Sequence, residues 1–184
     1  MSAGVLLVIC ALLLFIYIFA PIFKIELNYS LNKPNKSVSQ IVPIDKNFSI
    51  VIPKIGANSR IISNVDPYNS FVYQQSLTKG VAQARGTAFP DEEGNMFLFS
   101  HSSVNIIEAT RYNSIFYLLS KLKKGDGIFV YYRNIRYSYK VVETKIVDAK
   151  EISYLDPKKG TKMLTLMTCW PAGTSYKRLL VVAK

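Results

Sequence analysis

From Gly4 to Phe23 the chain reads GVLLVICALLLFIYIFAPIF, twenty residues without one charged side chain. A helix that crosses a bilayer needs about 20 such residues. A soluble core helix would interrupt the run with polar residues at a helical period, and this one does not. A cleaved secretory leader is the more serious rival, but its apolar core is only ~7–15 residues and ends at a small-x-small site. Here Ala20 is followed by Pro21, Ile22 and Phe23. The expectation is an uncleaved membrane anchor over residues 1–23. The nearest basic residue, Lys24, follows the run and none precedes it. On the positive-inside rule alone this favours a cytoplasmic C-terminal domain.

Taking the anchor out leaves enough chain for one domain with a proper core. That remainder carries all of the formal charge of +11, from 23 Lys and Arg against 12 Asp and Glu. The basic residues stand singly among Tyr, Ser and Asn and form no dense cluster, so nucleic acid is not the expected partner. An anionic membrane or envelope polymer suits a diffuse positive face better. The two cysteines are Cys10, inside the apolar run, and Cys169, near the C-terminus. A pair split between hydrocarbon and the domain beyond it forms no disulfide, and no Cys/His spacing for zinc is present.

Residues 24–48 are polar, hold two prolines and show no period, which reads as a linker. From Ser49 the apolar runs are short and bounded by turn residues: 49–55, 60–65, 95–101, 127–133, 136–147, 162–169 and 178–183. Most are rich in Val, Ile, Phe and Tyr, as strands are. Two stretches look helical, 68–77 and 113–126, the second because Ile115, Leu118, Leu119 and Leu122 recur at helical spacing. The fold class expected is mainly β, an antiparallel barrel or sandwich over residues 49–184.

His101 is the sole histidine and ends the apolar run MFLFS. Cys169 ends another such run, TLMTC, and Arg178 opens the run after the loop WPAGTSYK. Each alone is open to a bland reading: a surface or structural histidine, a small buried thiol, a solvated charge. If the last two strands pair, Arg178 returns beside Cys169, since paired strands lie about 4.8 Å apart. A guanidinium there favours thiolate and offers planar donors to a developing oxyanion.

TLMTC resembles the Thr-Leu-x-Thr-Cys signature of sortases, the membrane-anchored transpeptidases of bacterial surfaces. The order His101, Cys169, Arg178, the IPKI opening and the N-terminal apolar run are similar to that family as well. The class is left open, with a class D- or E-like member as the expectation. The resemblance covers residues 49–184 and implies an eight-stranded β-barrel with one or two short helices. It implies that Cys169 is the nucleophile, that His101 is the general acid and then base, and that Arg178 holds substrate and stabilises the oxyanion. Its implied partners are secreted proteins with a C-terminal sorting signal like Leu-Pro-x-Thr-Gly, and an amine acceptor in the cell wall precursor or a pilin. It also implies a catalytic domain outside the membrane, against the hint from Lys24.

Asp66-Pro67-Tyr68 is similar to the lid of pilin-polymerising sortases, but it follows IPKI where the family's lid precedes it. It is read as a turn before the first helix. No cofactor is expected. Calcium, which some sortases bind, would draw on Asp91, Glu92 and Glu93 with Glu143, Asp148 or Glu151, all of which read as solvated loop charge. Two rival functions stand beside the resemblance. A cysteine protease would use the same three groups with water as acceptor. A non-catalytic, membrane-tethered domain would bind wall polymer through its basic face.

Overall fold

The computed structural model describes residues 3–31, 41–102, 115–155 and 160–184. The chain divides into two units, Met1–Lys33 and Pro34–Lys184. The first contains one helix, α1 (Ala3–Leu31), so helical backbone runs past Phe23 into the segment expected to be linker. Among the residues whose side chains are described, which exclude Ile18, Pro21, Ile22 and Asn28, no helix is long and apolar enough to cross a membrane.

The second unit is a closed eight-stranded barrel. Its strands are β1 (Phe48–Ile52), β2 (Ala57–Val65), β3 (Val81–Ala84), β4 (Gly94–Phe99), β5 (Gly127–Tyr132), β6 (Ile135–Asp148), β7 (Lys162–Trp170) and β8 (Lys177–Ala183). Around the barrel they run β1-β2-β3-β4-β7-β8-β6-β5, and β5 closes it on β1. Two neighbours are parallel, β2 with β3 and β4 with β7, so the barrel is not wholly antiparallel. The first parallel pair is made by a crossover through helix α2 (Ser70–Leu77). Asn69 caps that helix, its side-chain oxygen accepting from the Val72 N–H at 3.2 Å.

Period-2 alternation divides β4 and β7 between two packed faces. Met96 and Leu98 lie opposite Leu164 and Leu166, and all four are buried. The other face carries Phe97, Phe99 and Met167, and there a second cluster forms with Val65, Leu77, Ala82, Ala84 and Leu180. Tyr73 of α2 and Tyr154 and Leu155, from the 3-10 turn Ser153–Leu155, pack onto it. β4 is therefore buried on both faces along its whole length.

Three sequence expectations need correction. The stretch 113–126 is not a helix in its described part but a 3-10 turn, Tyr117–Lys121, followed by an extended residue; residues 113 and 114 lie outside the described residues. The apolar pattern is satisfied locally, because Phe116, Leu118, Leu119 and Leu122 are buried by that turn. The strand β3 was not expected at all. The run 49–55 also breaks at Pro53 into strand and 3-10 turn, since proline cannot donate to the ladder.

Candidate active site

Cys169 and Arg178 are direct Cα partners on the antiparallel pair β7 and β8. The loop between them is folded by its own bonds: the Thr174 N–H donates to Pro171 O at 3.0 Å and the Thr174 hydroxyl to the same oxygen at 2.8 Å. Gly173 sits there at φ 81°, a left-handed conformation that glycine adopts at least cost.

His101 reaches the same place from the other side. In the parallel pair β4 and β7, Phe99 lies opposite Met167. The pairing continues one residue further, where the Ser100 N–H donates to Met167 O at 3.2 Å and the buried Thr168 hydroxyl donates to Ser100 O at 2.9 Å. Two residues on from Phe99 and Met167 come His101 and Cys169. Since Met167 pairs with Leu180 and Cys169 with Arg178, the sheet presents two successive rows on one face. The row Phe99, Met167, Leu180 is apolar, and the row His101, Cys169, Arg178 stands beyond it at the strand ends. All three candidate residues are half-buried.

The surroundings hold these side chains differently. His101 Nε2 lies 3.1 Å from the side-chain oxygen of Gln74, on α2. Ser100 and Ser102, on either side of the histidine, are buried, and their hydroxyls have no hydrogen-bond partner among the described residues. The Arg178 guanidinium donates through Nη1 to Ser175 O at 3.0 Å and Lys177 O at 3.1 Å, which ties it to the loop.

Tyr154 is a further neighbour of this row, brought there by the Ser153–Leu155 turn. Its hydroxyl donates to Met167 Sδ at 3.6 Å, and its ring stacks on Phe97 at 5.3 Å. Its backbone carbonyl accepts from the Asn95 amide at 2.8 Å, and the Asn95 side-chain oxygen accepts from the Thr165 hydroxyl at 2.9 Å. The turn is thereby bonded to both parallel strands. Burial raises the Tyr154 phenol above its ordinary range; the charge of Arg178 acts against that rise, while Glu151 and Tyr68 add to it. A neutral hydroxyl is kept at the edge of the row. The only available sequence signal was an aromatic in the loop before TLMTC.

Asp66-Pro67-Tyr68 forms a turn, with Asp66 accepting from the Tyr68 N–H and pairing with Arg85 at 2.6 Å. The acids considered for calcium do not converge. Asp91 faces Arg133 at 3.5 Å, Glu92 accepts from the Phe89 N–H, Asp148 from the Lys150 N–H and Glu151 from the Ser153 N–H. Among the described residues no three metal-ligating side chains come together.

Comparison with known proteins places this geometry. Sortase D of Bacillus subtilis (strain 168) is 29% identical over 136 residues, which is 72% of this chain and 60% of that protein. The chain thus spans less than two thirds of that relative's length. The crystal structure of sortase C-1 from Actinomyces oris superposes with a TM-score of 0.62 at 25% identity, covering 89% of this chain and 97% of that one. That of sortase C1 from Streptococcus suis gives the same TM-score at 24% identity, covering 74% and 70%, and speaks for the fold alone. The model of the sortase domain matches residues 50–184, the barrel from within its first strand onward, and this protein belongs to the sortase family.

Proposed function

We propose that the protein is a transpeptidase that cuts a sorting signal resembling Leu-Pro-x-Thr-Gly and passes the acyl group to an amine. Cys169 Sγ attacks the carbonyl carbon of the scissile peptide bond, and negative charge develops on its oxygen. Arg178 supplies fixed donors to that oxygen. Collapse of the intermediate breaks the C–N bond as His101 gives its proton to the leaving amine, and a thioester to Cys169 remains. An incoming amine then attacks the thioester, His101 takes the proton it sheds, and the Cys169 sulfur leaves as thiolate while the new amide forms. The acceptor on this reading is an amine of the cell wall precursor or of a pilin subunit. The apolar run of residues 4–23 acts as the membrane anchor, with the barrel on the outer side where such substrates arrive.

What supports this reading is the pairing of Cys169 with Arg178 at the head of a row that His101 joins from a parallel strand. The test is cleavage of a peptide carrying such a motif, with and without hydroxylamine as a small amine acceptor. Wild type should form the hydroxamate, and Cys169→Ala should form no product while its barrel remains folded. Equal turnover in the variant would remove Cys169 as nucleophile. Product that is free acid alone, at any amine concentration, would make the protein a protease.

A further inference from the structure

We propose that Gln74 is a positioning residue for His101: its side-chain oxygen fixes the imidazole as the Nε2–H tautomer, which leaves proton exchange with the reacting amine to Nδ1. The observation is the 3.1 Å bond between His101 Nε2 and Gln74 Oε1. An amide oxygen can only accept, so the nitrogen facing it must carry hydrogen.

Gln74 is well placed to do this because its helix is fixed. The next residue toward the N-terminus, Tyr73, packs on the apolar cluster and meets Phe99 edge to face at 6.3 Å. Leu77, three residues on, is buried in the same cluster. The crossover is clasped at its base by Asp66 and Arg85. Gln74 itself is exposed on the helix, so its side chain adds little to the core that holds α2 in place.

The choice of an amide has a chemical reason. In the proposed cycle His101 must be protonated when the first amine leaves and neutral when the second arrives. A carboxylate in place of Gln74 would stabilise the charged ring and oppose the first step, in which that ring gives up its proton. A neutral acceptor orients the ring in both states and favours neither strongly. Among the described residues, the titratable or charged groups at this end of the barrel include Cys169 on β7, Arg178 on β8, and Tyr154, Tyr68 and Glu151 nearby.

The inference rests on His101 being the acid and base, and the experiment separates the two. The full chain holds a single histidine, so its imidazole nitrogens give one unambiguous set of long-range 1H–15N signals. Wild type in its neutral state should show the Nε2–H tautomer. Gln74→Leu, which keeps helix propensity and size, should show mixed tautomers. Its kcat should fall about tenfold with little change in KM, part of the roughly hundredfold or more that general acid–base catalysis contributes. Gln74→Glu should move the imidazole titration and the pH–rate profile upward together. Gln74→Leu with the wild-type tautomer and an unchanged pH–rate profile would overturn the assignment while a dead His101→Ala left the underlying mechanism intact. Full activity in His101→Ala would overturn both.

Discussion

Arg178 carries the sharpest question at the scale of single residues, because two accounts of it make opposite forecasts. If it acts only as a positive charge that favours thiolate, Arg178→Lys should keep most activity. If it supplies fixed planar donors to the oxyanion, lysine is a poor substitute, and loss of such a donor costs about a hundredfold to a thousandfold in rate. The second is expected, with Arg178→Lys approaching Arg178→Ala in peptide cleavage. Thermal stability should barely change, since among the described residues the side chain bonds to the carbonyls of Ser175 and Lys177, its near neighbours in the chain. Gln83 shows the opposite balance, being structural and almost wholly buried. Its oxygen accepts from the Asn64 N–H at 2.8 Å, where β2 bulges with Asn64 at φ 58°, and its amide donates to Thr87 O at 2.9 Å. Gln83→Leu keeps the volume but strands both groups. A stability loss of about 1–3 kcal/mol is expected, measured as a lower urea midpoint with an unchanged slope.

Among the elements, those that carry the site were the most legible. TLMTC and RLLVVA end and open short apolar runs bounded by turn residues, as strands are, and their ends put Cys169 and Arg178 face to face in the structure. β3 was illegible for a physical reason: VAQA has neither β-branched alternation nor an aromatic, because Ala82 and Ala84 must leave room for Phe97, Phe99 and Leu77 on the same cluster. The apolar spacing of 113–126 misled because buried residues at helical intervals also suit a single 3-10 turn. Gln74 and Tyr154 could not be read at all, since only the packing of α2 and of the Ser153–Leu155 turn brings them to the row. The entry to β3 is the element's most sensitive point. A Cβ on Gly80 would lie 2.4 Å from the backbone oxygen of Arg60, and neither backbone can yield without opening the parallel pair. Gly80→Ala should cost about 1–3 kcal/mol as an overpacked site does, seen in thermal melts. A melting temperature equal to wild type would mean that β2 and β3 approach less closely than this.

At the scale of the whole molecule the proposed membrane anchor raises the question of which side of the membrane the barrel would occupy. The charge rule, resting on Lys24 alone, points to the cytoplasm, while the proposed chemistry needs secreted substrates and points outside. Basic residues such as Arg136, Lys140, Lys145 and Lys150 are exposed on β6 and just after it, and they would suit an anionic surface on either side. The cysteines make the question measurable, because the chain has only two and Cys169 is partly exposed. In a Cys10→Ala background, Cys169 is the one thiol left to react. A membrane-impermeant maleimide added to intact cells, with any enclosing wall digested in osmotic support, should label the protein fully if the barrel lies outside. Permeabilising the cells should then add no further label. Protection until the membrane is breached would place the barrel inside, restore the reading from Lys24 and deprive the proposed transpeptidase of secreted substrates.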